Sequence, residues 1–426
     1  MRVFKFGGAS VKDADGVRNL SRILSSFNDE KLVVVISAMG KTTNALEKVA
    51  EAYYKNDAAA ASQYLADVKD FHFGIISGLT FKSPDEIKKE VDAVFVEMEW
   101  TMEEETARSK GYAFAYDQLV SQGEVLSTKI ISRWLNENGT PNTWMDARDV
   151  LITDNTYRDA RINWLETEKL TGEKIPGLLQ NNRIVITQGF IGVTSENFTT
   201  TLGREGSDYT AAILAYALNA EEVVVWKDVP GVLSADPKYY PDAVKLDEVS
   251  YHDAIELTYY GATVIHPKTI KPIENKNIPL RVCSFKNSGE KGTLIGNFKE
   301  TRPQVPCFIF KINQILISIS AKDFSFVAEE NISEIFSAIS RHKAKVNLMQ
   351  NSAISFSLCV DNDPFKVPAL LHDLEKKFNV RYNDGLRLVT IRHYLTSTID
   401  TLVDGKQVLL EQRSRQTAQL IMKEQE

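Results

Sequence analysis

The sequence predicts an α/β protein with a mainly parallel sheet, followed by smaller ferredoxin-like α+β units. Three observations lead to this fold class. Short apolar runs alternate with helical patterns over about 300 residues, a polar stretch with Pro303 and Pro306 follows, and the chain beyond it repeats itself. The predicted domains are residues 1–297, a linker at 298–310, and a repeated region at 311–426.

Strands are predicted from short apolar runs, and helices from apolar residues at helical spacing. Two long helices are expected, from Asp85 to Ser109 and from Tyr116 to Asn136, and a shorter apolar helix from Tyr209 to Leu218. The predicted strands are Met1 to Phe6, Leu32 to Ser37, Asn142 to Asp146, Arg183 to Gly189, Glu222 to Trp226 and Leu280 to Ser284. Because helical patterns alternate with these strands, the sheet is expected to be parallel.

The C-terminal region contains an internal repeat. Leu316 to Ile319 matches Leu388 to Ile391 at an offset of 72, and Val346 to Cys359 matches Val408 to Ile421 at an offset of 62. The first copy follows the strand, helix, hairpin and helix order of a ferredoxin-like unit, whereas the second lacks its closing helix. Open sheet edges favour pairing between such units or subunits, so we expect a homodimer or a higher homo-oligomer.

Composition excludes several classes of protein. The 426 residues carry 50 basic and 57 acidic side chains without long like-charge runs, so neither nucleic acid nor a membrane is an expected partner. Three widely spaced cysteines in apolar surroundings, Cys283, Cys307 and Cys359, favour reduced thiols over disulfides or a zinc site. With no apolar signal region after Met1, we expect a cytoplasmic protein.

Two glycine-containing segments indicate phosphate chemistry. Lys5-Phe6-Gly7-Gly8-Ala9-Ser10 follows an apolar strand run, and Leu202-Gly203-Arg204-Glu205-Gly206-Ser207-Asp208 leads into an apolar helix. Glycine allows the backbone to approach an anion closely, and a helix N-terminus presents free N–H groups to it. The Lys, Arg and Asp in these segments suggest phosphoryl transfer, which needs fixed cations and a positioned carboxylate.

The Gly-Lys-Thr sequence at Gly40-Lys41-Thr42 is a false signal for a P-loop. That loop needs a glycine five residues before Gly40, where Val35 lies within a predicted strand. The dinucleotide pattern Gly-x-Gly-x-x-Gly also follows none of the predicted strands. Both common nucleotide-binding folds are therefore disfavoured.

Nearly the whole chain resembles aspartate kinase, of the amino-acid kinase superfamily, and the matching segments occur in the same order. The C-terminal repeats resemble the paired ACT domains that control such kinases, and the chain is too short for an additional dehydrogenase domain. Besides the two glycine segments, the matches are Ser37-Ala38-Met39 with Thr43-Asn44, Gln122-Gly123-Glu124, Thr187-Gln188-Gly189-Phe190, Trp226 to Gly231 with Asp236-Pro237-Lys238, and Tyr260 to Pro267.

The resemblance implies an α/β three-layer kinase domain that transfers the γ-phosphoryl group of ATP to the β-carboxylate of aspartate. The product would be 4-phospho-L-aspartate, on the route to lysine, threonine and methionine. Mg²⁺ is expected to accompany ATP, held mainly by water and phosphate oxygens, so no dedicated metal ligands are predicted. Lysine, ahead of threonine, is the expected feedback inhibitor.

The site residues are carried over from the resemblance. Lys5 is expected to supply charge to the transferring group and Asp208 to hold it in place, although a helix cap at Asp208 would look the same from the sequence. Glu124 and Arg204 would hold the α-ammonium and α-carboxylate of aspartate. The other substrate contacts would be hydroxyls, although Ser and Thr at strand ends are often turn residues: Ser37, Thr43 and Thr201.

The predicted ATP contacts are Lys5, Gly7, Gly8, Ser10, Lys227, Asp228, Leu233, Lys238, Thr263 and Val264. The predicted inhibitor contacts in the first ACT unit are Phe324, Ser325, Phe326, Asn347 and Ser352, each of which is at least as readily explained as a turn or hairpin residue. His266, before Pro267, is expected to be structural and not a general base.

Three departures from the family pattern matter. Ala9 replaces a usual hydroxyl residue, and Glu205 replaces a usual glycine and either faces solvent or pairs with Lys227. Lys227 stands where relatives have a small hydroxyl residue and Thr263 where they have a lysine, so Lys227 is predicted to reach the phosphates instead. Two alternatives stay open: a kinase for another carboxylate, such as acetylglutamate or carbamate, and a non-catalytic amino-acid sensor.

Overall fold

The computed structural model describes residues 1–262, 265–323 and 325–423. The chain divides into two compact units, each built from separate segments. The first comprises Met1–Val232, Lys245–Ile255 and Val264–Thr301, and the second comprises Leu233–Val244, Glu256–Thr263 and Arg302–Glu426. The predicted linear division at residues 298–310 is therefore incomplete, because two earlier segments belong with the C-terminal region.

The elements up to residue 301 alternate between strands and helices. The strands are β1 (Arg2–Phe6), β2 (Leu32–Ile36), β3 (Thr143–Met145), β4 (Ile184–Gln188), β5 (Ile191–Val193), β6 (Thr199–Thr201), β7 (Glu222–Lys227), β8 (Glu248–Ser250), β9 (Leu280–Ser284) and β10 (Thr293–Gly296). The helices are α1 (Ala14–Ser25), α2 (Thr42–Tyr54), α3 (Ala58–Gly78), α4 (Pro84–Glu103), α5 (Glu105–Ser109), α6 (Tyr112–Val120), α7 (Gln122–Glu137), α8 (Trp164–Asn181), α9 (Gly206–Leu218), α10 (Tyr251–Tyr260) and α11 (Pro267–Asn275).

Among the described residues, the main sheet has the order β3-β4-β2-β1-β7-β9-β10-β8. The strands from β3 to β9 in this order are parallel, and β10 runs antiparallel to β9. All residues of β2 and β4 are buried, as is typical of strands covered by helices on both faces. The α/β fold predicted from the sequence is confirmed, with the six predicted strands ending within one or two residues of their expected bounds.

Alternation along β1 sends its side chains to two different environments. Phe4 and Phe6 contact Trp226 of β7, with the rings of Phe6 and Trp226 stacked at 6.0 Å between centroids. Lys5, between the two phenylalanines, faces away from this aromatic cluster. The strand thus anchors itself on one face and presents a lysine on the other.

Both long predicted helices are interrupted. The first is divided into α4 and α5 at Glu104, whose backbone is extended and whose carbonyl accepts a hydrogen bond of 2.7 Å from the Tyr53 hydroxyl. The second begins earlier than predicted and divides into α6 and α7 at Ser121. Gly123 lets α7 pack closely, because an added Cβ would lie 3.1 Å from the Ala38 Cβ.

The C-terminal elements begin at Cys307, within the predicted linker, which is therefore shorter than expected. The elements are β11 (Cys307–Ala321), α12 (Glu329–Arg341), β12 (Val346–Asn351), β13 (Phe356–Asp361), α13 (Lys366–Glu375), β14 (Phe378–Arg392), α14 (Thr396–Val403), β15 (Val408–Arg413) and β16 (Thr417–Lys423). Among the described residues they form an antiparallel sheet of order β12-β13-β11-β14-β16-β15.

The sequence repeat is also a repeat of hydrogen-bonding register. The β12–β13 hairpin pairs Leu348 with Cys359, and the β15–β16 hairpin pairs Leu410 with Ile421, both after an irregularity at the same place. The two turns close alike: the N–H of Ser352 donates to the Ser355 carbonyl, and that of Ser414 to the Thr417 carbonyl, each at 2.8 Å. The predicted ferredoxin-like repeat is thereby confirmed.

The two copies exchange strand halves. Gln314–Ile319 of β11 pair with β13, whereas Cys307–Lys311 pair with the second half of β14, which in turn pairs with β16. The second copy, which the sequence predicts to be truncated, therefore obtains its fourth strand from chain that precedes the first copy. Side chains at equivalent repeat positions share one core cluster: Leu316 and Leu388, Leu348 and Leu410, Cys359 and Ile421.

The three cysteines are buried and form no disulfide among the described residues. Across the part of the chain that the structure describes, no helix combines the length and apolar character needed to cross a membrane.

Candidate active site

The carboxylate of Asp208 lies between two lysines. The Lys5 Nζ is 2.6 Å from its Oδ1, and the Lys227 Nζ is 3.1 Å from its Oδ2. Asp208 is 2% exposed and Lys5 is 8% exposed. Although burial opposes ionisation, the two ammonium groups hold the pKa of Asp208 below its usual value. The structure thus brings Asp208 next to Lys5, as the sequence predicts, and adds Lys227 to the same carboxylate.

Close packing of the first turn of α9 fixes the position of Asp208. A Cβ on Gly206 would lie 2.7 Å from the Phe190 ring, and one on Gly189 would lie 2.4 Å from the Ser207 Cβ. The backbone N–H of Phe190 also donates to the Thr210 hydroxyl at 3.0 Å. Only glycine fits at both contacts, so the helix starts against the end of β4 and holds Asp208 beside β1 and β7.

The glycine segment after β1 packs against the loop after β2. A Cβ on Gly8 would lie 2.5 Å from the Ala38 carbonyl oxygen, and the Gly8 carbonyl accepts from the Gly40 N–H at 3.0 Å. Ser10, predicted to contact ATP, is buried and donates its hydroxyl to the Trp226 carbonyl at 3.4 Å. Ser10 therefore ties this loop to β7.

A cavity of about 620 Å³ opens beside these groups, where β1, β2 and β7 end. Its wall includes four of the predicted catalytic and ATP-binding residues: Lys5, Gly8, Asp208 and Lys227. The five predicted substrate residues all line the same cavity: Ser37, Thr43, Glu124, Thr201 and Arg204. Side chains that are more than 200 positions apart in the chain, such as Lys5 and Lys227, thus meet at the carboxyl edge of a parallel sheet, where ligands of α/β proteins usually bind.

Glu124, in the first turn of α7, is a buried carboxylate with one free oxygen. Its Oε1 accepts from the Ala38 N–H at 3.3 Å, whereas its Oε2 has no hydrogen-bond partner among the described residues. Burial raises the pKa of Glu124 to about 8, against the lowering effects of the Ala38 N–H and the Lys5 charge. A cationic ligand at Oε2 would favour the ionised form.

Asp117 is a site residue that sequence reasoning missed. This fully buried carboxylate accepts from the Thr201 N–H at 2.9 Å, from the Thr201 hydroxyl at 2.7 Å and from the Arg158 N–H at 3.0 Å. It therefore fixes two residues of the cavity wall. Burial raises the pKa of Asp117 to about 7, opposed by these hydrogen bonds.

Arg158 is a second missed residue of the cavity wall. Its guanidinium carbon lies 4.3 Å from the centre of the Tyr116 ring, and its Nη2 lies 3.5 Å from a carboxylate oxygen of Glu47. Its backbone is in the left-handed region at φ 71°, which the hydrogen bond to Asp117 helps to hold. Arg158 and Arg204 thus give the cavity two guanidinium groups.

Some of the predicted ATP contacts do not line this cavity. Gly7 is one of them, although it lies beside the Lys5 ammonium, since an added Cβ would be 3.4 Å from the Lys5 Nζ. Asp228 is exposed directly after β7. Leu233 and Lys238 belong to the second compact unit, where Lys238 is exposed and donates its backbone N–H to the Asp236 carboxylate at 2.9 Å. The remaining two predicted ATP contacts lie outside the described residues: Thr263 and Val264.

His266 has the structural position that the sequence predicts. It caps the N-terminus of α11, where its Nδ1 accepts from the Lys268 N–H at 3.2 Å. Burial lowers the pKa of His266 below its ordinary value.

The predicted inhibitor contacts that the structure describes all belong to the second compact unit, where some of them form hydrogen bonds with neighbouring residues. The Val327 N–H donates to the Ala353 carbonyl at 3.1 Å, which brings the segment of Ser325 and Phe326 to the hairpin of Ser352. Phe326 is 74% exposed. Asn347 accepts from the Lys311 ammonium at 2.6 Å and donates to Asp361 at 2.7 Å. Phe324 lies outside the described residues.

Comparison with known proteins places this geometry in a family. A family model described as the amino acid kinase family matches residues 1–284. The chain is 33% identical over 397 residues to lysine-sensitive aspartokinase 3 of Escherichia coli (strain K12), covering 91% of this chain and 86% of that protein. It is 30% identical to the chloroplastic aspartokinase 2 of Arabidopsis thaliana over 370 residues, which are 84% of this chain and 66% of that protein.

Solved structures of aspartokinases also superimpose on this chain. Aspartokinase III of E. coli in complex with lysine and aspartate (T-state) superimposes with a TM-score of 0.85 at 29% identity, covering 99% of this chain and 95% of that one. The same enzyme in complex with aspartate and ADP (R-state) gives a TM-score of 0.81 at 28% identity, covering 99% of this chain and 96% of that one.

Proposed function

We infer that this chain, which belongs to the aspartokinases within the amino acid kinase family, transfers the γ-phosphoryl group of ATP to the β-carboxylate of aspartate. Aspartokinases are phosphotransferases with a carboxyl group as acceptor, and this chain is one of them. The observation that supports the assignment of this cavity most strongly is the carboxylate of Asp208 between Lys5 and Lys227, beside a second buried carboxylate, Glu124, with a free oxygen.

The cavity offers complementary groups for both ends of an α-amino acid. Glu124 Oε2 needs a hydrogen-bond donor, and the α-ammonium group of aspartate would supply one together with a positive charge. Arg204 on the same cavity wall would bind the α-carboxylate through paired N–H donors. The hydroxyls of Ser37, Thr43 and Thr201 would then surround the side chain of the substrate.

The reaction joins two anions. An oxygen of the β-carboxylate attacks the γ-phosphorus, the bond from phosphorus to the bridging β,γ-oxygen breaks, and ADP leaves with that electron pair. No proton needs to be removed, because the attacking carboxylate is already ionised near neutral pH. Lys5 would stabilise the charge on the transferring oxygens, and Asp208 would keep the Lys5 ammonium in place.

Lys227 is the second cation of this arrangement. It stands on the wall of the cavity and shares the Asp208 carboxylate with Lys5. We propose that it opposes the phosphate charge of ATP, together with Lys5, in the role that relatives give to a lysine at the position of Thr263.

Mg²⁺ fits this site. The cavity wall includes Glu205, whose shielded Oε2 accepts no hydrogen bond among the described residues, and a carboxylate oxygen is a ligand that Mg²⁺ prefers. Bound with the nucleotide, Mg²⁺ would neutralise part of the polyphosphate charge.

Regulation is a separate part of the proposal. One E. coli relative has been solved with lysine bound, and the strand-to-helix turn at Ser325 and Phe326 meets the Ser352 hairpin in this chain. We propose that lysine inhibits by binding there, in a homodimer formed through the first ACT unit. The exposed side chains of Phe326 and Met349 support an interface on this part of the second unit.

A cytoplasmic location is also proposed. Three buried cysteines that form no disulfide among the described residues are typical of a reducing compartment.

Hydroxamate formation tests the activity. Purified protein is incubated with ATP, Mg²⁺ and hydroxylamine, which traps an acyl phosphate, and aspartate is compared with glutamate, acetylglutamate, and bicarbonate with ammonia. Product from aspartate alone is the expected result. Product from acetylglutamate or from bicarbonate with ammonia would identify a kinase for another carboxylate, and activity with none of the acceptors would indicate a non-catalytic sensor.

A further inference from the structure

Glu205 occupies a backbone position that disfavours its side chain. The residue immediately precedes α9 and lies in the left-handed region at φ 54° and ψ 27°. Glycine adopts this conformation without strain, whereas a residue with a Cβ does so at a cost of about 1 kcal/mol. The chain nevertheless places a glutamate here, on the wall of the cavity and three residues before Asp208.

Among the described residues, one oxygen of the Glu205 carboxylate also lacks the hydrogen-bond partner that a shielded anion requires. Its Oε2 is buried and accepts no hydrogen bond from any described residue. An unsatisfied buried carboxylate oxygen is costly, and more so than a neutral one. The structure therefore contains a strained residue whose charged group lacks a hydrogen-bond partner at one oxygen, which indicates that a partner arrives with a ligand.

Two possible partners for Glu205 Oε2, Lys227 and the α-ammonium group of the substrate, are less suitable than a metal ion. Lys227, which the sequence allowed as a partner, contacts the Asp208 carboxylate at 3.1 Å. The α-ammonium group of the substrate has a matched acceptor in the free Oε2 of Glu124, where burial already disfavours an uncompensated charge. Asp208 Oδ1 is paired with the Lys5 ammonium at 2.6 Å, which leaves Glu124 Oε2 and Glu205 Oε2 as the cavity's carboxylate oxygens without a hydrogen-bond partner among the described residues. The proposed reaction brings two cations.

We propose that Glu205 is a direct ligand of the divalent cation that enters with the nucleotide. This inference rests on the proposed function, because it assumes that ATP phosphates occupy the part of the cavity next to α9. Without a cation, a carboxylate beside a polyphosphate would be repelled, whereas with Mg²⁺ between them each anion becomes a ligand. Among the described residues no three acidic, His or Cys side chains cluster as a metal site, so phosphate oxygens and water would complete the coordination.

Mn²⁺ serves as the probe, because its electron paramagnetic resonance signal distinguishes free from bound metal. Binding of Mn²⁺ is measured at saturating ADP for the full-length wild type and for Glu205→Gln, Glu205→Gly and Glu196→Gln. Glu196 is an exposed residue in the turn between β5 and β6 and serves as the matched control. We expect both Glu205 variants to bind Mn²⁺ about tenfold more weakly or worse, and the control to match the wild type.

A calorimetric titration of ADP with excess EDTA gives the complementary result. Without metal, both Glu205 variants should bind ADP as tightly as the wild type or more tightly, because a repelling charge is gone. Glu205→Gly should also unfold at a temperature no lower than that of the wild type, since glycine relieves the left-handed strain, which separates lost metal binding from misfolding.

Equal Mn²⁺ affinity in the wild type and both variants would overturn the inference. A rise in KM for aspartate in Glu205→Gln with unchanged Mn²⁺ binding would also overturn it and would assign the carboxylate to the substrate. Metal binding is measured without aspartate, so its outcome is independent of the acceptor. The wild type could make no aspartyl hydroxamate while the Glu205 variants still bind Mn²⁺ more weakly than the wild type does. In that case the proposed acceptor would be wrong, but Glu205 would remain the metal ligand.

Discussion

Lys227 Nζ lies 3.1 Å from Asp208 Oδ2, on the opposite side of the carboxylate from Lys5. We predict that Lys227→Thr raises the KM for ATP about tenfold and changes the KM for aspartate much less, because a phosphate-facing cation is removed. Steady-state kinetics with each substrate varied would measure both. Adding Thr263→Lys should restore much of the loss. A double mutant no better than the single mutant would separate Lys227 from ATP binding.

Lys5→Ala is expected to lower kcat by about a hundredfold to a thousandfold while the protein stays folded, since the ammonium supplies charge and little core packing. The circular dichroism spectrum should match that of the wild type, whereas the thermal midpoint should fall, because the buried Asp208 carboxylate loses one of its two ion-pair partners. Lys41→Ala is the control, because Lys41 is exposed and belongs to the Gly-Lys-Thr sequence that only resembles a P-loop. Near-normal turnover in Lys5→Ala would remove this lysine from the mechanism.

The affinity for aspartate should rise with pH up to about 8. In the empty site Glu124 has a pKa of about 8, so below that pH it is mostly protonated and must lose its proton to accept an ammonium group. Because the folded-state pKa is raised, the contribution of Glu124 to stability is present at low pH and is lost as the pH rises through about 8.

Calorimetry between pH 6 and 9, in two buffers of different ionisation enthalpy, would detect the proton released on binding. Glu124→Gln should bind aspartate weakly and with little dependence on pH. A wild-type dissociation constant that is constant over this range would exclude Glu124 as the ammonium acceptor.

Asp117→Asn should destabilise the protein and weaken aspartate binding. Its amide group would set an N–H₂ against donors from Thr201 and Arg158, and loss of hydrogen bonds to a charged acceptor costs about 2–3 kcal/mol. Urea unfolding gives the free energy change, and kinetics should show a raised KM for aspartate. Asp67→Asn, at an exposed helix position, should change neither quantity. An unaltered KM for aspartate would limit Asp117 to a structural role.

Lysine is expected to inhibit and to bind in calorimetry, with Phe326→Ala weakening both effects because it removes an exposed ring beside the Ser352 hairpin. Threonine and methionine are compared in the same assays. If none of the three binds and activity is indifferent to all of them, the ACT pair acts in assembly only.

The sequence predicted the residues that line the cavity better than it predicted the residues that hold them in place. Lys5, Glu124, Arg204 and Asp208 belong to local segments whose glycines and strand ends are visible in the chain, and the parallel sheet brings such ends to one edge. Asp117 is different. It lies within an aromatic helix, and its partners are 41 and 84 residues away, so nothing local distinguishes it from a surface aspartate.

The same distinction applies to the C-terminal region. Apolar repeats at fixed offsets revealed two related units, but a repeat does not specify which copy pairs with which strand. Pairing depends on long-range register. The irregularity between Lys311 and Gln314, which divides β11 between the two copies, contains Asn313 in the left-handed region at φ 52°, but an asparagine in this conformation does not specify which strands pair.

The exchange of strand halves has a consequence for how this protein is made. As the chain leaves the ribosome, Cys307–Lys311 emerge well before their partner in β14. The second copy of the repeat cannot complete its sheet until β16, which ends at Lys423, has also emerged. Until then an apolar strand has an unpaired edge, which is a template for aggregation. Nascent chains that stall between β11 and β14 should therefore depend on chaperones more than chains that stall before β11.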